Sequence, residues 1–358
     1  MIKMSLCKSI CFAFFCDFAL RTSTVVYGQD NHQLDSFLER PWTPARHLSI
    51  PTDDIWWTAT GDQMAWMHKN VHQIFPTVNV YRQGPVSKLV KAGQNFFQFQ
   101  VETEEGSLEL DTFISSEASA ILGMIILYKG EIVFESYPRM QPYEKPIYWS
   151  VTKVMPALLV RLFEERGLID TARAIDFYIP ELVSSAFSGV QVRNILDMSS
   201  GLDCQDDYTD RTSCYYQYSM AIGDGHRDDD SPDNPYDFLQ TLKAERVSAE
   251  GTSFSYSGVN TFILSWLVES IAQKPFHEVF TGEIWSKIGA ESDASFLAYR
   301  YGIPLTHGGF LSNMRDMARF GLLFTPSYGV VSNEKIVSSE TLDLLLNQPN
   351  PNLVNNDG

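Results

Sequence analysis

Residues 148–163 read Tyr-Trp-Ser-Val-Thr-Lys followed by Val-Met-Pro-Ala-Leu-Leu-Val-Arg-Leu-Phe. Apolar side chains fall at 151, 154, 155, 158, 159, 162 and 163. That i, i+3, i+4, i+7 spacing predicts a helix with one buried face. Ser150 stands where an N-cap or first-turn residue would stand. Lys153 follows one turn later, and positions i and i+3 share a helix face. A serine needs a base to become a nucleophile, and a desolvated lysine can serve as one. The positive end of the helix dipole lies beside the serine. Ser-x-x-Lys also arises by chance, and the alternative is an ordinary cap followed by a surface amine. Pro156, placed inside this pattern, is expected to remove a helix hydrogen bond and bend the helix.

Around that helix the chain divides into three parts. Residues 1–28 form a leader, 29–115 an N-terminal extension packing on the core, and 116–358 the main domain. The extension is rich in Trp and Pro: Pro41-Trp42, Trp56-Trp57, Trp66 and Phe75-Pro76-Thr77. Two helix-like pieces are expected in it, with short strands near Asn95 to Val101 and Ser107 to Phe113. The continuous apolar run Ala120 to Leu127, the turn Lys129-Gly130 and then Ile132-Val133-Phe134 predict a buried hairpin. Beyond the serine helix, Gly167 is a stop signal. Short helical pieces follow at Pro180 to Leu182 and Val192 to Met198. A long acidic loop spans 203–234 and contains Asp228-Asp229-Asp230, which lacks the spaced ligands and glycine turn of a calcium loop. Helices are expected at Pro235 to Glu245, Val259 to Ile271, Pro275 to Ile288 and Met314 to Phe324, and Ser338 to Leu346 closes the pattern. No internal repeat is visible.

The motifs narrow the chemistry. A Gly-x-Ser-x-Gly elbow and a His-Glu-x-x-His zinc motif are both absent from the sequence. His68 and His72 are spaced to face one metal ion, but no third ligand lies near them, and no cofactor or metal is assigned. Ser150 and Lys153 remain, together with Tyr256 in Ser255-Tyr256-Ser257-Gly258, just ahead of an apolar helix. A tyrosine at such a corner can point its hydroxyl into a cleft and, beside a cation, relay the serine proton. By itself it reads as a half-buried aromatic with a wet tip.

These stretches, taken in order, resemble the serine β-lactamase-like hydrolases. The likeness is to the class C-related esterases and the 6-aminohexanoate-dimer hydrolase branch. It rests on Gly123 to Gly130, Trp149 to Lys153, Ile195 to Leu202, Phe254 to Ser257, Gly308-Gly309-Phe310 and Arg315 to Gly321, with Phe75-Pro76-Thr77 upstream. It covers roughly residues 60–345. The resemblance implies an α+β fold, an antiparallel sheet flanked by helices beside a helical subdomain. It also implies a serine hydrolase that cleaves an ester or amide bond through an acyl-enzyme on Ser150. Lys153 would be the base or its activator and Tyr256 the proton relay. The backbone N–H of Ser150 would form half of the oxyanion hole.

Two departures stand against that pattern. Gly258 occupies a position where the family usually carries Asn or Ser, leaving Ser257 or Asn260 as substitutes. The family's third motif, a Lys- or His-containing tripeptide on the last core strand, is not visible after the Arg315 helix. Lys287-Ile288-Gly289 and His307-Gly308-Gly309 mimic it but come too early. The expectation is a chain lacking the last core strands. A degenerate, non-catalytic binding protein of the same fold is therefore one alternative reading. A penicillin-binding or β-lactamase-type peptidase is another, though Ser-Asp-Asn and Lys-Thr-Gly are absent.

Charge and cysteine use bound the partners and the compartment. The 358 residues carry a formal net charge of −17, which argues against nucleic acid as partner; the resemblance implies a small-molecule ester or amide substrate. After residue 28 no apolar run reaches transmembrane length. Lys3 and Lys8 precede an apolar run from Ser9 to Phe15, interrupted beyond by Asp17 and Arg21, which reads as a signal peptide and a secreted or periplasmic protein. Cys7, Cys11 and Cys16 lie in that leader. Cys204 and Cys214 remain, either as a local disulfide or as two free thiols.

Overall fold

The computed structural model describes residues 61–92, 99–103, 106–116, 119–227, 229–347 and 353–355. The leader, the tryptophans at 42, 56 and 57, and Asp228 lie outside them.

Helix α1 (Gly61–Asn70) leads into strand β1 (Thr77–Val80), and strands β2 (Gln100–Thr103) and β3 (Gly106–Glu109) form a small hairpin. The strand expected to run to Phe113 ends at Glu109. Helix α2 (Leu110–Ser115) takes over, because Leu110, Phe113 and Ile114 at helical spacing pack on Met124, Ile126 and Val133. The hairpin of β4 (Met124–Tyr128) and β5 (Glu131–Ser136) follows as expected. Lys129 and Gly130 both take positive φ, the conformation of a two-residue hairpin turn.

The serine segment is divided. Trp149–Lys153 is a 3₁₀ turn, and helix α3 (Val154–Glu165) begins only after it. Pro156 thus falls in the first α-turn, where a missing N–H leaves no ladder bond broken, so the expected defect does not arise. Gly167, at φ +71°, ends the segment; its N–H donates to Glu164 O at 2.8 Å and that of Leu168 to Phe163 O at 2.9 Å.

Helix α4 (Val192–Leu196) comes next. The expected loop 203–234 is interrupted by helix α5 (Cys214–Ile222), capped by the Ser213 side chain and ended by Gly223 in the left-handed region. Tyr215, Tyr216 and Tyr218 anchor it in the interior. Helix α6 (Pro235–Thr241) is capped by Asn234. Strand β6 (Ser253–Phe254) leads to helix α7 (Gly258–Ala272), which is buried along most of its length and packs against α3, α4 and α5. An all-round apolar helix is stable only in that central place.

Helix α8 (Phe276–Glu283) and strands β7 (Ala294–Leu297) and β8 (Phe310–Leu311) complete a three-stranded antiparallel sheet in the order β1-β7-β8. Residues 77–80 therefore supply an outer strand of this sheet, with Thr77 opposite Leu297. Phe276, Phe280, Trp285, Phe296, Phe310 and Phe320 interlock edge to face beneath it. Helix α9 (Met314–Leu322) is capped by Asn313, and helix α10 (Ser339–Asn347) precedes a two-residue strand β9 (Val354–Asn355) that pairs with β6.

The Arg315 to Gly321 stretch holds elements together. Asp316 accepts N–H groups from Glu291 at 2.7 Å and Ser292 at 2.9 Å, and Arg319 reaches Asp316, Glu291 and the carbonyl of Ser87. Arg315 donates through Nε and Nη2 to both carboxylate oxygens of Glu135 on β5, at 2.6 and 2.9 Å. None of the described helices is long and apolar enough to cross a membrane.

Candidate active site

Three chain segments converge on Lys153. The first is the 3₁₀ turn itself. Tyr148 N–H donates to Phe310 O at 2.9 Å and Phe310 N–H to Thr152 Oγ1 at 3.2 Å, which ties the turn to β8. Trp149 sits at φ +43°, a region that non-glycine residues rarely occupy, immediately before Ser150. This turn leaves Ser150 exposed while Lys153, three residues on, is buried. Lys153 Nζ lies 3.1 Å from Ser150 Oγ. The i, i+3 pairing read from sequence is therefore present, on a 3₁₀ turn rather than on the α-helix.

The second segment is the strand-like run before α7. Ser255 N–H donates to Met198 O at 2.7 Å, and Ser257 Oγ donates to Cys204 O at 2.6 Å while also capping α7. Between them, half-buried Tyr256 presents its ring to the Lys153 ammonium, 4.6 Å from the centroid. A cation at that distance from an aromatic face is attracted by the ring quadrupole. Ser150 and Lys153 thus meet Tyr256, more than a hundred positions further along the chain, around one amine.

The third segment is 305–309. Lys153 Nζ donates to His307 O at 3.0 Å. The two early mimics of the third motif part company here. His307 to Gly309 lies against the site through its backbone. Lys287 lies away from it, paired with Glu334 at 3.2 Å and Glu283 at 3.8 Å. The His307 imidazole is buried between Tyr215 Oη, 3.3 Å from Nε2, and Tyr218 Oη, 3.1 Å from Nδ1, with Asp224 3.7 Å from Nε2.

Gly258 has a steric explanation. A Cβ there would stand 2.9 Å from both His307 Cδ2 and Tyr215 Cε2. The side chain that is missing relative to the family pattern has its place taken by the histidine–tyrosine cluster. Ser257 and Asn260, the expected substitutes, are both buried, the first engaged in capping.

Sequence reasoning missed Asp206, whose Oδ2 lies 3.7 Å from Lys153 Nζ. Its Oδ1 accepts the Gly258 N–H at 2.5 Å, and its own N–H donates to Tyr256 O at 3.0 Å. Burial raises this carboxyl above the usual carboxylate range, and Lys153 and the Gly258 N–H offset that only in part. Cys204 and Cys214 form a disulfide, with Cα atoms 4.9 Å apart, that closes the loop carrying Asp206. Its position two residues after a cysteine in an acidic run was the only available signal.

His68 and His72 do not converge. His68 packs edge-on to Trp149 at 5.4 Å, and burial depresses its imidazole to about 4, whereas His72 is exposed. Among the described residues no group of three or more His, Cys, Asp or Glu is placed to hold a metal ion.

A hydroxyl open to solvent, a buried amine in contact with it and an aromatic hydroxyl residue against that amine form a set able to move a proton off the serine. The chain is similar to proteins named as hydrolases. Residues 111–357 match the Beta-lactamase family profile. The chain is 26% identical over 305 residues to the 6-aminohexanoate-dimer hydrolase of Paenarthrobacter ureafaciens, covering 85% of this chain and 74% of that one. A Bacillus anthracis structure provisionally described as a 6-aminohexanoate-dimer hydrolase shares the fold, with a TM-score of 0.71 at 23% identity over 85% of this chain and 78% of that one. A Bacteroides dorei DSM 17855 structure provisionally described as a beta-lactamase superposes with a TM-score of 0.51 at 20% identity, over 66% of each chain. The chain belongs to the beta-lactamase family of serine hydrolases.

Proposed function

We propose that this protein hydrolyses a small ester or amide through an acyl-enzyme on Ser150. The observation that carries the reading is the 3.1 Å contact of Lys153 Nζ with Ser150 Oγ, made while the same amine lies over the Tyr256 ring. Ser150 Oγ attacks the substrate carbonyl carbon and gives its proton to the Lys153–Tyr256 pair. The tetrahedral centre collapses, the C–O or C–N bond breaks, and the leaving alcohol or amine departs with that proton. Water then attacks the acyl carbon, releases a carboxylic acid and restores the Ser150 hydroxyl. The Ser150 N–H is one donor to the oxyanion, a contribution of about 3 kcal/mol when such a donor is aligned.

The relatives named for 6-aminohexanoate dimer support a short amide substrate. The Cys204–Cys214 disulfide supports export to an oxidising compartment.

The test is covalent labelling with a fluorophosphonate probe, peptide mapping, and turnover of p-nitrophenyl esters and the linear 6-aminohexanoate dimer. Label on Ser150, lost together with turnover in Ser150→Ala, is the expected result. An unlabelled Ser150, or an active Ser150→Ala protein, would refute the acyl-enzyme and leave a binding role for the fold.

A further inference from the structure

We infer that Asp206 is a positioning residue for this reaction: its buried carboxyl group orients the Lys153 side chain between Ser150 and Tyr256. The inference rests on the acyl-enzyme reading above and adds to it the group that places the amine.

The geometry is specific to a carboxylate. Oδ1 is occupied by the Gly258 N–H at 2.5 Å, which fixes the orientation of the group. Oδ2 then faces Lys153 Nζ at 3.7 Å and takes the Tyr208 hydroxyl at 3.3 Å. The Asp206 and Lys153 side chains are 5% and 9% exposed, so water screens their attraction poorly.

The backbone around Asp206 is equally constrained. Its N–H bonds Tyr256 O, Cys204 O accepts from Ser257, and the disulfide closes the loop ten residues on. The carboxylate is thereby built into the same strip of chain that carries Tyr256. The other groups of this cluster are Tyr208, on Asp206 itself, His307, from the segment before β8, the phenols Tyr215 and Tyr218, from α5, and Asp224, whose carboxylate lies 3.7 Å from His307 Nε2. Asp224 is paired with His307, whereas Asp206 is the carboxyl group paired with Lys153.

Without the carboxylate, the amine would keep the His307 carbonyl and Ser150 but lose its counter-charge. A negative charge beside a proton-accepting group makes its deprotonation harder, whichever of Lys153 and Tyr256 is the acceptor. Removing that charge therefore moves the acid limb of the rate profile to lower pH for either choice.

The test compares the full chain with Asp206→Asn and Asp206→Glu, reading p-nitrophenyl ester kcat and KM against pH, fluorophosphonate labelling of Ser150 and thermal melting. Asn keeps an acceptor for the Gly258 N–H and removes the charge; Glu keeps the charge. The expected result is an acid limb displaced downward by about one pH unit in the Asn variant. Its kcat should change more than its KM, and the Glu variant should return the limb to the wild-type position. Profiles that superimpose after correction for the labelled fraction would overturn the assignment, as would identical limbs in the two variants. Loss of cooperative melting in both would reduce Asp206 to a fold-holding residue and equally overturn it. A wild-type protein that neither turns over ester nor labels at Ser150 would overturn the acyl-enzyme reading and this inference with it. A labelled, active wild type with unmoved limbs would overturn the Asp206 role alone.

Discussion

Lys153 Nζ donates to the main-chain carbonyl of His307 at 3.0 Å, joining segments 154 residues apart. That carbonyl fixes one of the amine's protons and leaves the others directed by Ser150 and Asp206. A residue without an amine cannot reproduce the arrangement. Lys153→Met keeps the length of the side chain and is expected to lower kcat by about 10²- to 10⁴-fold. Steady-state kinetics on p-nitrophenyl esters would check it, with circular dichroism confirming the fold. Retention of more than a tenth of wild-type kcat would exclude Lys153 from proton transfer.

Gly258 is held small by what surrounds it. Gly258→Ala brings a methyl to 2.9 Å from two buried rings, neither of which is a flexible chain end. Overpacking of this kind destabilises by about 1–3 kcal/mol. Thermal melting is expected to show that loss, accompanied by lower kcat, because His307 cannot retreat without moving the carbonyl that holds Lys153. Unchanged melting and kcat would show that the cluster yields easily.

The disulfide is expected to matter for rate as well as for stability. Replacing both cysteines with alanine opens a loop of ten residues and removes about 2–4 kcal/mol of stability, as losses of native disulfides commonly do. Below the melting range, kcat should still be reduced, since Cys204 O anchors Ser257 and Asp206 lies two positions on. Assays with and without dithiothreitol would show the same change in the unmodified protein. Full activity in the reduced protein would detach the loop from the site.

Acid stability is expected to depend on Glu135. Burial raises this carboxyl, but hydrogen bonds from Arg315, Lys91 and Tyr137 outweigh burial and hold it at about 2. The folded state therefore keeps Glu135 ionised when the unfolded chain, at the ordinary value of 4.5, has begun to protonate. Its stabilising effect is complete above pH 4.5 and is lost as pH falls toward 2. Glu135→Gln should flatten the fall of melting temperature over that window, and at neutral pH should cost about 1–3 kcal/mol from the lost charged hydrogen bonds. Parallel melting curves for the two proteins between pH 4.5 and 2 would contradict this.

The elements read from sequence were those whose pattern is local. The β4–β5 hairpin, helix α7 and the start of α9 follow from apolar periodicity, a two-residue turn and capping residues. Ser150 and Lys153 were legible because both lie within one turn. Tyr256 needed the order of motifs along the chain, since nothing near it in sequence points to a lysine a hundred residues away. Asp206 and the His307 carbonyl were not legible. The first lay in an acidic stretch that reads as a solvated loop, and a carbonyl has no sequence signature. Helix α5 was hidden in that same stretch because its buried face is built of tyrosines, which read as half-polar. The 3₁₀ turn at Ser150 escaped because its cause is tertiary, the pairing of Tyr148 and Thr152 with Phe310.

The imidazole of His307 carries a consequence of its own. Tyrosine hydroxyls stand at both of its ring nitrogens, at 3.1 and 3.3 Å. Each ring nitrogen therefore has a phenol oxygen as its partner. A molecule entering beside Ser150 finds both nitrogens of His307 already partnered. In this protein the residue most often associated with proton exchange at neutral pH contributes its peptide oxygen to the site, and its ring serves as a keystone.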